Sequence, residues 1–490
     1  MRNRLLSFAA VLAALGLVYL AAWRTAPAGT RPPRQANSQV AAVTSAVRAC
    51  PPPGPGSRPG RIAMIAMPSG AGTGNAVLTP VTAITPAAGA PGRAHRAQPQ
   101  QVSVSQPGAL SLETAPGTAG TAVTADGAMA QGLEAEQASA SGVSATICGS
   151  PGSDMWFVGA GQETAANIQL YLMNVGGLAA SVDLTIVTDS GVAQGSLDTG
   201  ITVPPHQFAV QSIAPFIHGS GVLALHLQTT AGQVAASVWE GPARGSGGFW
   251  LPRAAAPATR VVVPGLMAVS GAARLFVAVP GDTDAQVKVT AVTPHGSYQP
   301  FGSTALDAPA AAASSFTLNS LGGTTAAIEL TSNVPVTAAM LVPANGIGAV
   351  TAAAGPVNEQ GIVAGNPAAP GLATTLLLSA PGAAVRASVS TGRPAVSGQA
   401  ASGQAASATQ VVTVPRGHTV AVTIRPPRGT TPAFAVVITP LAGSGPLYAA
   451  RLVTEGGAPA GTVMSVLPVP SAPTAVSVPQ VRDAYTAIMP

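Results

Sequence analysis

Glycine and proline interrupt this chain so often that it has room only for short strands. Past the first 60 residues, runs of Val, Leu, Ile, Thr and Ala are broken by Gly or Pro roughly every 8–12 residues, which is the spacing of an all-β sandwich or barrel. Proline lacks a backbone N–H and fixes φ, so it ends helices and central strands. The 3.6-residue periodicity of amphipathic helices is nearly absent. We therefore expect an all-β fold.

The strand pattern recurs with a period of about 100 residues. A strand, a Gly-containing turn and a second strand, which we interpret as a hairpin, occur at 168–189, 273–294 and 374–392. Another predicted hairpin closes each unit, at 222–240, 326–342 and 433–453. Six or seven short strands in about 100 residues are typical of an immunoglobulin-like β-sandwich. Tandem sandwiches after one N-terminal transmembrane helix are therefore the predicted fold. The alternative is β-propeller-like closure, in which each unit supplies two blades.

These features divide the chain into successive regions. They are a signal anchor over 1–23, a Pro/Arg-rich stalk over 24–60, β-domains over 61–149, 150–245, 258–345 and 360–466, a flexible low-complexity insertion over 395–408 within the last β-domain, and a C-terminal tail over 467–490.

The N-terminal segment predicts where the protein resides. Arg2 and Arg4 precede an uncharged apolar run over residues 5–23. As a helix this run would span about 28 Å, close to the ~30 Å thickness of the bilayer core. We expect it to anchor the protein in the lipid bilayer as a single span, with the C-terminal region extracytoplasmic. A cleaved secretory signal has the same charge layout but a shorter apolar region, and Ala26-Pro27-Ala28 is similar to a cleavage site, so a secreted protein is the alternative.

Two cysteines, Cys50 and Cys148, are the only ones in the chain. They form no Cys-x-x-Cys pair, so neither a zinc site nor a thiol redox site is indicated. In an oxidising compartment the default is one disulfide. A loop of ~100 residues would then stabilise the fold by about 4–5 kcal/mol in the chain-entropy model. Two buried free thiols are the alternative.

The scarcity of charge limits the chemistry available to this chain. Charged residues make up 8% of the sequence, against roughly 25% in an average domain. No G-x-S-x-G, S-x-x-K, P-loop, G-x-G-x-x-G or H-E-x-x-H motif is present. We therefore predict a protein that is not an enzyme, with no catalytic residue, no metal ligand and no cofactor.

One pair of carboxylates is nevertheless a candidate for catalysis. Glu134 and Glu136 would share a face of a strand, and paired carboxylates serve glycosidases. No aromatic residue accompanies them, which favours an acidic, solvated face instead.

Arginine is concentrated near the N-terminus. Residues 1–96 contain ten Arg and no Asp or Glu. Such a segment attracts anionic lipid headgroups or anionic wall polymers, or it is a solvated stalk. The Arg residues are spread out and lack interleaved aromatics, so we do not expect a nucleic-acid partner.

Aromatic residues are rare, and four of them form two doublets, Trp156-Phe157 and Phe249-Trp250. Adjacent residues of a strand point to opposite faces. One ring of each doublet would enter a core, and the other would lie at a domain boundary or on a ligand or partner surface.

A motif around the second cysteine supplies a family resemblance. Its residues are Cys148, Pro151, Asp154, Trp156 and Phe157, in the pattern Cys-x-x-Pro-x-x-Asp-x-Trp-Phe. Together with the N-terminal anchor and the upstream Cys-Pro segment at 50–53, this resembles an actinobacterial family of secreted or membrane-anchored proteins classed only as a domain of unknown function. The resemblance implies no known activity and no catalytic residues.

We therefore expect a non-enzymatic, membrane-anchored, extracytoplasmic envelope protein that acts as a scaffold or binding module for a cell-wall polymer or a membrane partner. One alternative is a secreted polysaccharide-binding protein, released by signal cleavage. The other is an envelope carbohydrate-active enzyme that uses Glu134, Glu136, Asp154 or Glu163, and it requires two of these carboxylates to meet in one aromatic-lined cleft.

Overall fold

A computed structural model describes most of the chain after residue 38. The described residues are 39–55, 60–84, 101–115, 117–140, 142–161, 167–193, 200–217, 219–241, 248–267, 273–301, 304–318, 321, 324–342, 349–392, 409–430, 432–455 and 462–478. The predicted anchor over 5–23 and the predicted insertion over 395–408 lie outside these residues. Within the described ranges, no helix has the length and apolar character needed to cross a bilayer.

The described part of the chain is almost entirely β-strand. Its only helical turns are two short 3-10 segments, Gly127–Met129 and Ala214–Phe216. The prediction of an all-β fold is confirmed. Buried and half-buried residues alternate over 180–186: Val182, Leu184 and Ile186 are buried, and the residues between them are half-buried.

The chain forms two compact units, one small and one large. The small unit comprises Met1–Ala42 and Ala475–Pro490. In it, β1 (Gln39–Ala42) pairs antiparallel with β36 (Ala475–Val478). The large unit, Val43–Thr474, holds the remaining strands in four successive repeats.

The first two repeats contain the following strands. The first has β2 (Ser45–Cys50), β3 (Arg61–Ile65), β4 (Ala76–Ala83), β5 (Val102–Val104), β6 (Ser111–Thr114), β7 (Gly120–Asp126), β8 (Glu134–Ala138) and β9 (Ala145–Ile147). The second has β10 (Asp154–Ala160), β11 (Asn167–Asn174), β12 (Ala180–Thr188), β13 (Gly191–Val192), β14 (Ile201–Val203), β15 (Gln207–Ser212), β16 (Val222–Ala231), β17 (Ala235–Gly241), β18 (Phe249–Leu251) and β19 (Arg253–Ala254).

The last two repeats follow the same order. The third has β20 (Ala258–Leu266), β21 (Ala273–Val279), β22 (Ala285–Thr293), β23 (Gly296–Tyr298), β24 (Leu306–Ala308), β25 (Ala312–Leu318), β26 (Ala326–Val342) and β27 (Ala349–Ala352). The fourth has β28 (Gly361–Pro367), β29 (Leu372–Ala380), β30 (Val385–Gly392), β31 (Thr409–Val414), β32 (His418–Ile424), β33 (Ala433–Pro440), β34 (Tyr448–Glu455) and β35 (Thr462–Pro468).

Each repeat builds two facing sheets from the same antiparallel pairings. The pairs are β3 with β8 and β4 with β7, then β11 with β17 and β12 with β16, then β21 and β22 with the two halves of β26, and finally β29 with β34 and β30 with β33. The buried apolar side chains between the two sheets form the core of each repeat; in the fourth they include Leu376, Phe434 and Ile438.

The predicted strand–turn–strand segments are therefore not hairpins, and this corrects the sequence analysis. β11 and β12, for example, lie in different sheets, so the Gly-containing turn carries the chain across the sandwich. Alternation of apolar residues reports which face of a strand is buried, but it does not report which strand lies beside it.

The four repeats contact one another in a circle. The first meets the second where β4 and β15 pair in parallel. Apolar contacts continue from the second repeat to the third, from the third to the fourth, and from the fourth back to the first. At the last boundary, Ile65 of the first repeat packs with Ile362 and Val437 of the fourth.

The propeller-like alternative is not adopted by the described sheets. A propeller has separate four-stranded blades. Here β4 and β15 join two sheets edge to edge, and the 17-residue β26 runs through both sheets of the third repeat.

Two predicted boundaries need correction. β1 and β2 lie inside the segment predicted as a stalk, and β36 lies inside the predicted tail. Residues 34–50, between Pro33 and Pro51, contain no proline, so this short stretch is free to pair as strand. The first repeat accordingly includes β2 and starts before residue 61.

Candidate ligand-binding cavity

The connectors near the C-terminal end of each repeat converge on one cavity of about 540 Å³. After β9, β18, β27 and β35 the chain passes along its wall, and each connector contributes at least one proline there or beside it. The connectors lie extended and bond to neighbouring strands: Gly149 O accepts from Ala49 N at 2.8 Å, and Ala354 N donates to Val262 O at 2.9 Å. Every repeat thus contributes to the cavity through the segment that leaves it.

The disulfide between Cys50 and Cys148 is present, as predicted. Cys50 ends β2, and Cys148 begins the connector that lines the cavity. Both side chains are buried. The covalent bond therefore holds the connector to β2 at the edge of the cavity.

An ion pair forms one part of the cavity wall. Arg48 Nη2 donates to Glu134 Oε1 at 2.9 Å and to Leu133 O at 2.7 Å. Burial raises the pKa of Glu134, and the Arg48 guanidinium opposes that rise. The sequence places Arg48 in the predicted Pro/Arg-rich stalk over 24–60 and favours a solvated face for Glu134; neither side chain is solvated, because they are only 12% and 5% exposed.

A second guanidinium lies on another part of the wall. Arg253 Nη2 donates to Asp154 O at 2.7 Å. Arg253 is exposed; partial desolvation of its guanidinium lowers its pKa, and the Asp154 carboxylate opposes the change. The same carboxylate places Oδ1 3.3 Å from His226 Nε2. Burial lowers the pKa of His226, and Asp154 partly offsets that effect.

The aromatic doublets lie mostly in cores. The side chains of Trp156, Phe157 and Trp250 are at most 6% exposed, and Phe249 is half-buried. Trp156 stacks on His226 with ring centroids 4.0 Å apart, while Trp250 lies 5.5 Å from Tyr171. Phe157 alone of the four lines the cavity.

Glu136 does not join Glu134 in one site. Its Oε1 accepts from Arg451 Nη1 at 2.8 Å, and its Oε2 accepts from Gly365 N at 2.9 Å. The side chains of Glu136 and Arg451 are 2% and 0% exposed. This pair links the first and fourth repeats. A Cβ at Gly365 would lie 3.0 Å from the Glu136 carboxyl carbon, so glycine is what lets the two groups meet.

The carboxylates proposed for catalysis have separate partners in the structure. Glu134 pairs with Arg48, Glu136 pairs with Arg451, and Asp154 faces His226. Glu163 lies outside the described residues. Within the described ranges, no group of three or more His, Cys, Asp or Glu side chains is placed to hold a metal ion.

Sequence reasoning overlooked one buried acid. Glu240 is fully buried, and neither of its carboxyl oxygens has a hydrogen-bond partner among the described residues. Burial raises its pKa well above the usual value. The signal was available, because Glu240 follows Ala236 and Val238 on one face of β17, and both of these belong to the core.

Comparisons with known proteins give one family match. Residues 82–425 match the model of DUF5719, a family of unknown function. No curated protein and no solved structure matches significantly.

Proposed function

This chain belongs to DUF5719, a family of unknown function, and we propose that it is a non-enzymatic, membrane-anchored module of the cell envelope that binds a ligand in its central cavity. The observation that carries the proposal is the convergence of the four connectors on a cavity of about 540 Å³. Small-molecule sites are concave, largely pre-formed and roughly 300–1,000 Å³ in volume. A cavity fixed by a disulfide and by four repeats fits that description.

The disulfide supports an extracytoplasmic location. Such bonds persist in oxidising compartments and are rare in the cytosol. The Cys50–Cys148 bond is buried at the cavity edge, where it stabilises the fold rather than serving as an exposed redox pair. The Arg-flanked apolar run over 5–23 agrees with export.

Binding is favoured over catalysis by the state of the charged groups. A general acid or base must exchange a proton within reach of a substrate. Glu134 is instead hydrogen-bonded to a guanidinium, and Glu136 is enclosed between Arg451 and Gly365. These contacts hold the carboxylates in fixed structural roles.

The partner class we propose is a cell-wall polymer or a membrane-embedded protein or lipid. The Arg-rich N-terminal segment would add attraction to anionic surfaces. Release by signal cleavage is the alternative, and the mass of the mature N-terminus distinguishes the two.

The test combines localisation with a blocked cavity. Full-length protein, tagged at the C-terminus, is expected in the membrane fraction and accessible to protease from outside. Chemical crosslinking on intact cells should then capture a partner or polymer that Ser150→Trp loses, because Ser150 is exposed on the cavity wall.

Ser103→Trp is the matched control, since Ser103 is exposed and is not part of that wall. A cytosolic location would contradict the proposed extracytoplasmic location. Equal capture by the two Trp variants would contradict the cavity as the binding site.

A further inference from the structure

The cavity combines apolar walls with an excess of positive charge. Its apolar side chains are Ile147, Met155, Phe157, Leu251, Leu467 and Val469. Its charged residues are Arg48, Arg253 and Glu134. Apolar walls bind the apolar body of a ligand through the hydrophobic effect. The charged side chains select the charge of the ligand's polar end group.

The two guanidiniums differ in how far they are already engaged. Arg48 donates to the Glu134 carboxyl and to two backbone carbonyls, of Val47 and Leu133. Arg253 donates to the neutral carbonyl of Asp154. A guanidinium has five N–H donors, so Arg253 retains donors for a further acceptor.

The acidic groups near the cavity do not cancel this charge. Glu134, the one carboxyl among the described residues of the wall, is already paired with Arg48 at 2.9 Å. Asp154 is close enough to favour the charged form of Arg253, but its Oδ1 lies beside His226 and its side chain is 57% exposed. The wall therefore carries two guanidiniums against one carboxyl.

We propose that the cavity binds an amphipathic anion, a ligand with an apolar body and one carboxylate or phosphate group that Arg253 receives. This inference rests on the proposed function, in which the cavity is the ligand site. Charge-assisted pairs between Arg and a carboxylate or phosphate are short, often bidentate and stronger than neutral hydrogen bonds. The free acid of an acyl chain and the phosphate of a lipid headgroup share this chemistry.

The test measures how affinity depends on the end group at constant chain length. Full-length protein in nanodiscs of zwitterionic lipid is titrated calorimetrically with octanoate, octyl phosphate, 1-octanol and octylammonium, and empty nanodiscs supply the background. We expect at least one of the two anions to bind tenfold or more tightly than 1-octanol, and octylammonium to bind most weakly. Octanoate and octyl phosphate separate the two sources of the anion.

Variants identify the group responsible. Arg253→Met should weaken binding of the preferred anion about tenfold and leave 1-octanol unchanged, whereas Arg425→Met, at an exposed arginine outside the wall, should change neither. Near-UV circular dichroism confirms that both variants fold.

Several results would overturn the inference. They are equal binding of 1-octanol and the anions, an unchanged anion affinity in folded Arg253→Met, or no binding of either anion. The last result, together with partner capture that Ser150→Trp abolishes, would refute the ligand class while leaving the proposed function in place.

Discussion

Breaking the Arg451–Glu136 ion pair should open the contact between the first and fourth repeats. Arg451→Met removes the guanidinium and keeps most of the side-chain volume. Glu136 then loses the Nη1 donor at 2.8 Å and retains only Gly365 N at 2.9 Å. Because the carboxyl is 2% exposed, water cannot replace the lost partner without movement of β8 or β28.

The expected magnitude follows from this burial. Removing one member of a buried pair costs about 3–5 kcal/mol, because it leaves an uncompensated buried charge. Both side chains are almost fully buried, so solvent screening does not reduce the cost. Replacing both members behaves differently. Arg451 Nε and Nη2 have no hydrogen-bond partner among the described residues, so Glu136→Leu/Arg451→Met removes two unsatisfied donors together with the carboxylate. It also leaves Gly365 N without its acceptor, so the double variant should be less destabilised than Arg451→Met but not fully restored.

The assay is urea unfolding followed by tryptophan fluorescence at pH 7. Trp156, Trp239 and Trp250 are buried in the large unit, so they report its unfolding. The single variant should lower the free energy of the first transition by about 3–5 kcal/mol, and the double variant should recover part of that loss. A loss below about 1 kcal/mol in Arg451→Met, the range of exposed pairs, would refute the reasoning.

Three further predictions test other parts of the structure. Reduction, or Cys50→Ala/Cys148→Ala, should lower the free energy of unfolding by about 4–5 kcal/mol, measured by urea unfolding with and without reductant; no change would contradict a structural role for the bond. Burial raises the pKa of Glu240 well above its unfolded value near 4.5, so the folded state retains a proton that the unfolded chain releases, and stability should fall as pH rises above about 4.5. Glu240→Gln should remove this contribution to the slope, as measured by thermal unfolding across pH, and an unchanged profile would contradict it. Gly54→Ala would place a Cβ 2.5 Å from Trp239 Nε1 and should cost about 1–3 kcal/mol by overpacking; Gly70→Ala, whose Cβ meets nothing within 4 Å, is its control in the same urea assay, and equal stability of the two would count against the packing.

Much of the fold could be predicted from local pattern. Gly and Pro mark where strands end. The alternation of apolar and polar residues in β12, β22 and β30 marks the buried face of each strand. The period of about 100 residues predicted repeats with the same internal order. Two cysteines, in a chain that the sequence predicts to be exported, predicted the disulfide.

Pairing partners could not be predicted in the same way. The strands on either side of each Gly-containing turn alternate as hairpin strands do, yet they lie in facing sheets. Each strand pairs with a strand from the later segment of the same repeat, as β11 does with β17 and β12 does with β16. The position of that partner determines whether two consecutive strands form a hairpin or lie in facing sheets.

The charged contacts are the least accessible to sequence reasoning. Arg451 and Glu136 are 315 residues apart, and nothing local couples them. Arg451 did carry a weak signal, because it follows Ala449 on a buried face of β34. Arg48 lies in a short proline-free stretch between Pro-rich segments, so composition averaged over a longer window assigned it to the stalk.

Hydrogen exchange in Arg451→Met tests most directly whether the first and fourth repeats close the circle around the cavity. Glu136 on β8 and Gly365 on β28 are 229 residues apart. The account predicts that amides of both strands lose protection together in the variant, while the β11–β17 pair in the second repeat keeps parental protection. Loss of protection confined to β34, with β8 and β28 unchanged, would contradict it.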